Sequence, residues 1–197
     1  MVIADSQSHK VTTNLKENSI VVDGTEISLT DDNKFLMDKG GNENAMMAMY
    51  YDISTHQAMF FAGGQLTQEM PTNKEDITYK GEAIDAAQSK AAYASVRLPA
   101  TFTVNFHDKK LSGKIGNAPH GNVVVEADIT GNTFKGEHKF DAGQGVHHAT
   151  GSAYVEGGFY GEGASDIAGA YARQGTYTNN GVETDLATHG VFHAEKQ

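Results

Sequence analysis

Residues 122–140 read NVVVEADITGNTFKGEHKF, and the period of their side chains decides the fold. Val123, Val125, Ala127 and Ile129 alternate with Val124, Glu126, Asp128 and Thr130. A period of two puts the first set on one face of an extended strand and the second on the other. Gly131 and Asn132 interrupt the alternation, and both residue types accept the backbone angles of a tight turn. Apolar positions resume at Phe134 and recur at Phe140. The stretch is therefore a β-hairpin with one apolar and one wet face, the pattern of an antiparallel sheet buried on one side.

The same grammar extends in both directions. ITYKGEAID (77–85) is followed by KAAYASVRLPATFTVNF (90–106), which turns through HDKK into LSGKIG (111–116). Beyond the hairpin come SAYVEGGFYG (152–161), IAGAYAR (167–173) and THGVFHAEK (188–196), which makes eight strands. Eight antiparallel strands joined mostly by short turns suit a closed up-and-down barrel, because closure removes exposed edges. Upstream, NSIVVDGTEISL (18–29) reads as two short strands about Asp23-Gly24. AMMAMYYDI (45–53) and QAMFFAGGQ (57–65) read as two more, and the polar QEMPTNKED (68–76) marks a change of style. The fold class expected is all-β: a small N-terminal β-rich handle domain over residues 1–75, then an eight-stranded antiparallel up-and-down β-barrel over 76–197.

Composition narrows the function. The chain of 197 residues has no Cys, so thiolate metal sites and thiol catalysis are excluded. Fifteen basic residues against 25 acidic ones give a net charge of −10, with no basic stripe, which excludes nucleic acid as a partner. The longest apolar run, AMMAMYY (45–51), is far too short for a membrane-spanning helix, so no membrane insertion is expected. MVIADSQSHK at the start has neither the cationic nor the apolar part of an export signal, and the mature protein is expected to be secreted and extracellular. No nucleophile elbow and no His-Glu-x-x-His occur, and the glycines of GFYGEGASDIAG (158–169) lack the Lys-Ser/Thr of a phosphate loop. An enzyme is not expected.

Histidine, at 9 residues, is the metal-relevant residue in surplus. In an up-and-down barrel the connections after odd-numbered strands share one end. GNAPHGN (116–122), DAGQGVHHATG (141–151) and QGTYTNNGVETDLAT (174–188) follow strands three, five and seven, so they meet at one rim. This brings His120 to the pair His147–His148, with Tyr177 as a pocket wall or gate. Counting back from Ala153, Val155 and Phe159 turns His147 inward, and a glycine bulge would exchange it with His148. His138 shares its face with Phe134 and Phe140 and reads as a hydrogen-bonded core residue. His189 and His193, two apart on the last strand, either chelate a metal or face outward into solvent. His56 lies between two handle strands, where it can reach a pocket between handle and barrel. Met46, Met47 and Met49 read as filling of the handle core.

GGFYGEGASDIAGAYA (157–172) and the terminal GVFHAEK (190–196) resemble the closing strands of the transferrin-binding protein B barrel, with His193 in place of a glycine of that motif. ATFTVNFHDKKLSGKI (100–115) and ADITGNTFKGE (127–137) resemble its central hairpins, so the resemblance covers about residues 77–197. Within that superfamily the likeness is to the hemophilins, soluble haem carriers secreted by Gram-negative bacteria. The resemblance implies a hemophore that captures haem through histidine and delivers it to an outer-membrane receptor, with a host haem-containing protein as a further partner. His120, His147, His148 and Tyr177 then form the haem site, and His120 and His148 are the iron ligands. The alternative is a secreted surface antigen that grips a host protein, transferrin or a complement regulator, by its barrel loops. For the haem carrier, His120→Ala lowers haemin affinity and alters the Soret band, and one of His147→Ala and His148→Ala does the same while the other is near neutral; three unchanged spectra would remove the rim assignment.

Overall fold

The computed structural model describes residues 2–4, 11–14, 19–22, 25–28, 34–54, 57–88, 93–116, 122–144 and 147–197. All of their regular structure is β. Strand β1 (Val2–Ala4) is followed by β2 (Val11–Asn14), β3 (Ser19–Val22) and β4 (Thr25–Ser28), and these last three form an antiparallel sheet of their own. Next come β5 (Lys34–Gly41), β6 (Ala45–Asp52) and β7 (Gln57–Gly64), an antiparallel meander that β1 joins by running parallel to β7. The hairpin read at Asp23-Gly24 is β3–β4, while β2 and the parallel β1 were not legible in the period of the sequence.

The eight remaining strands are β8 (Ile77–Gln88), β9 (Tyr93–Asn105), β10 (Lys110–Ile115), β11 (Val123–Thr130), β12 (Thr133–Gln144), β13 (His147–Tyr160), β14 (Asp166–Asn179) and β15 (Val182–Lys196). Each pairs antiparallel with the next, and β15 pairs with β8 to close the barrel, as the alternation predicts. Strand β11 is buried and exposed by turns along its whole length, and Gly131 turns the hairpin with φ of 58°. Phe102, Phe134, Phe159 and Phe192 fill the interior. The Phe192 ring lies 4.8 Å from that of Phe102 and 6.2 Å from that of Phe134, and Phe134 meets Phe159 edge-on at 5.5 Å. Rings at such distances attract beyond their area of burial.

A second core lies on the outside of the barrel wall. Met47, Met49, Phe60 and Leu66 pack against Ile84, Tyr160, Ala168, Ala170 and Val191. Strands β14 and β15 are thus apolar on both faces, which explains the run DIAGAYA (166–172) with no polar alternation after its first residue. Glycines at 157 and 158 serve the two cores separately. A Cβ on Gly157 would lie 2.6 Å from the Phe134 ring inside, and one on Gly158 would lie 2.6 Å from Leu66 outside. The Gly-Gly-Phe-Tyr-Gly run is therefore a seat for rings within and for the incoming N-terminal segment without, where Leu66 bridges Tyr160.

The described residues of DAGQGVHHATG, and all of QGTYTNNGVETDLAT but its turn, lie in strands. Strands β12 and β13 stay paired to Gln144↔His147, and β14 and β15 to Asn179↔Val182, where Asn180 and Gly181 turn with positive φ. Thr176, Tyr177, Thr178, Val182 and Thr184 suit extended backbone, and cross-strand partners override the glycines. However, β8 follows β15 only from Gly190 to Lys196, and β11 follows β12 only over Asp128–Thr130. Beyond those points β12–β15 run on as a four-stranded extension of the wall. Replacing Phe192 by Ala empties the ring cluster and is expected to cost about 3–5 kcal/mol in urea unfolding, with the barrel topology retained.

Candidate functional site

The extension rises at the end of the barrel toward which β8, β10, β12 and β14 run. Its floor is polar and closed. The Tyr171 hydroxyl donates to Asp85 Oδ2 at 2.8 Å, passing over Gly190, where a Cβ would lie 2.7 Å from that hydroxyl. Burial, reinforced by Asp85, pushes the Tyr171 phenol far above its ordinary range. Arg173 is 2% exposed and lies over the Phe140 ring at 5.6 Å. Burial lowers its guanidinium pKa, and the charge of Asp85 works against that. Asp85 and Arg173 bring opposite charges to this floor, and the Tyr171 hydroxyl is hydrogen-bonded to the acid.

Above the floor, cross-strand rows run Phe140–Gly151–Gly175–Leu186 and then Ala149–Tyr177–Thr184. Tyr177 is half-buried on strand β14, which corrects its expected place in a flexible loop. His148 is paired on the outer surface: its Nε2 lies 2.6 Å from Asp141 Oδ1. The backbone of His147 opens β13 opposite Gln144 and Asn179. The His147 side chain, all of His120 and all of His56 lie outside the described residues. Of the implied iron pair His120 and His148, the described residues include His148 alone.

The other histidines are placed by packing. His138 reaches out to Glu126 at 3.3 Å with 31% of its side chain exposed, at the point where β11 leaves β12, so it is not the enclosed core residue expected. His189 and His193 do face outward, but the N-terminal sheet covers them. The His189 ring meets Phe60 edge-on at 5.1 Å, and burial lowers its pKa. His193 Nε2 lies 2.8 Å from Asp166 Oδ1.

Asp166 is the centre of a latch between sheet and barrel that sequence reasoning missed. Its Oδ1 also accepts from Asn42 Nδ2 at 2.6 Å, and its Oδ2 accepts from Asn44 Nδ2 at 2.8 Å and from the Ser165 hydroxyl. Asp166, His193 and Glu195 offer ligand atoms within 4.8 Å of one another, a spacing that suits a metal ion. The Asn42 amide fills that position instead, because it also donates to Glu195 Oε1 at 3.0 Å. Its own carbonyl accepts from the backbone N–H of Asn44 and Ala45, which fixes the orientation of the amide. The replacement of a motif glycine by His193 was the sequence signal for this cluster. A second clamp joins Arg97 to Asp38 at 2.6 Å, to the Lys39 carbonyl and to Glu82.

With the fold in place, the lineage of the chain follows. Residues 70–196 match the family model of the C-lobe and N-lobe β-barrels of Tf-binding protein B, and the chain belongs to that family. Transferrin-binding protein B of Neisseria meningitidis serogroup B is 33% identical over 153 residues, covering 68% of this chain and 21% of the relative. The counterpart from serogroup A is 32% identical over 129 residues, covering 56% and 18%. The chain thus spans about a fifth of the length of these relatives. A crystal structure of transferrin-binding protein B from Haemophilus parasuis superposes with a TM-score of 0.59 at 25% identity, over 94% of this chain and 42% of that one. A surface lipoprotein superposes with a TM-score of 0.57 at 15% identity over 96% and 97%, which shows the shared fold.

The latch sets a pH dependence. Burial alone would raise the Asp166 carboxyl, but hydrogen bonds from His193, Ser165, Asn42 and Asn44 outweigh it and hold the pKa at about 2, below the ordinary 3.8. A carboxylate with a lowered folded-state pKa stabilises above its unfolded value and loses that contribution as pH falls through the folded one. Asp166→Asn is expected to cost about 2 kcal/mol near neutrality and to flatten the decline in urea midpoint between pH 3.8 and about 2.

Proposed function

We propose that this chain is a protein-binding lobe that works at the outer surface of a bacterial cell and takes a host protein of the transferrin class as its partner. The observation that carries this reading is family membership, with 33% identity to a transferrin-binding protein over two thirds of the chain. The physical arrangement supports it. Phenylalanine rings fill the barrel and the two-sided core fixes the N-terminal sheet against it, so recognition falls to the surface. A rigid scaffold with both sheets locked presents such a surface without an ordering cost on binding. The relatives are named for binding.

A host protein and haem give different signals in one pair of measurements. The immobilised chain is exposed to iron-loaded transferrins from several mammals by interferometry, and haemin is titrated into the free chain while the Soret region is followed. Saturable transferrin binding with no sharp Soret band is expected. A stoichiometric Soret band, with no transferrin retained, would overturn the reading in favour of the haem carrier.

A further inference from the structure

Over Val182–His189, strand β15 has β14 on one side, in unbroken register from Asn179↔Val182 to Ala172↔His189. Strand β8 joins its other edge only from Gly190 onward, and among the described residues no strand pairs with that edge before it. Val182, Glu183, Thr184, Asp185 and Ala187 are exposed. Natural sheets protect such an edge with charged side chains, lysine above all, with proline, a bulge, a short strand or a covering segment, and the charges on this edge are the carboxylates Glu183 and Asp185. The stretch VETDLAT (182–188) has no lysine or proline, and its pairing has no bulge. It therefore presents backbone donors and acceptors that an extended segment can complete as an added strand.

The side chains on this edge specify the occupant. Glu183 and Asp185 are two apart, so they share one face, and their neighbours on β14 are the uncharged Thr178 and Thr176. Among the described residues neither carboxylate has an ion-pair partner. Directly opposite residues of paired strands approach closely enough that opposite charges stabilise and like charges destabilise. A second copy of the chain would bring acids against acids, and the net charge of −10 adds to that repulsion. An added strand with basic residues at two alternate positions would pair both carboxylates.

From this edge we infer that the chain takes an extended, basic segment of its protein partner as an added strand along Val182–Ala187. The inference rests on the reading of the chain as a protein-binding lobe and names the site and the chemistry of the contact. The site is separate from the latch at Asp166 and from the buried floor at Asp85, so it can be altered without disturbing either.

Two capped peptides about ten residues long, matched to the strand, test it. One alternates Lys and Thr; the other alternates Lys and Pro, with the same charge and few backbone donors for a ladder. Each is titrated into the isotope-labelled chain and into the variant E183K/D185K, whose melting temperature should equal that of the parent because both positions are exposed. The Lys–Thr peptide is expected to shift and protect the amides of Val182–Ala187, to bind roughly tenfold tighter than the Lys–Pro peptide, and to lose that affinity in the variant. Equal binding of both peptides, protection confined to other strands, unchanged affinity in the variant, or dimerisation of the chain through this edge would each overturn the inference. If the parent chain retains no transferrin, the function proposed above fails while the peptide result still decides this edge. If E183K/D185K retains transferrin and the peptides do not bind, the lobe stands and the added strand falls.

Discussion

Closure of the barrel depends on seven residue pairs between β15 and β8, from Gly190↔Asp85 to Lys196↔Tyr79. These pairs join the last strand of the chain to the first strand of the barrel, so every other element sits where this seam allows. A Cβ on Gly81 would lie 2.1 Å from the His193 carbonyl, so the seam is tight enough to demand glycine there. At one end of the seam the Tyr79 hydroxyl donates to the Ala164 carbonyl, which holds the turn between β13 and β14 beneath the barrel. At the other end the Tyr171–Asp85 bond spans Gly190, and there the seam stops. Where it stops, the barrel opens and β12–β15 continue alone.

The second constraint is that one wall has two buried faces. Small residues on β14, Ala168 and Ala170, let the N-terminal sheet approach while Ile167 and Tyr171 fill the interior from the same strand. Polar latches at Asp166 and Arg97 then fix the register of that approach, since apolar packing alone is not directional. Each buried donor and acceptor at Asp166 is matched, which is the condition for a buried charge to be tolerated. The result joins the four-stranded N-terminal sheet to the barrel through an apolar core and two polar latches.

The chain belongs to the family of Tf-binding protein B barrels, and among the described residues aromatic and aliphatic side chains pack the interior of the barrel. The surfaces free to act are the extension, its outer face of threonines, and its acidic edge. These surfaces are exposed and carried on paired strands.

The period-two pattern of residues such as Val123–Ile129 determined the barrel strands and their inward faces, because alternation on an extended backbone leaves a strand one choice of buried side. The family motif was legible for the same local reason: glycines at 157 and 158 are needed wherever rings and an incoming segment press on one strand. The site was legible only in part. The sequence put His148 and Tyr177 in loops, since glycine and polar residues dilute the strand period, whereas cross-strand pairing carried β13 and β14 through them. It left His193 between a metal site and a solvated face and did not single out Asp166, since nothing local records that a second sheet covers them. Which edges pair, where β15 parts from β8, and which carboxylates find partners depend on contacts between residues remote in the chain. Those were decided by the tertiary structure alone, because strand pairing and sheet packing are properties of two segments together and of neither one by itself.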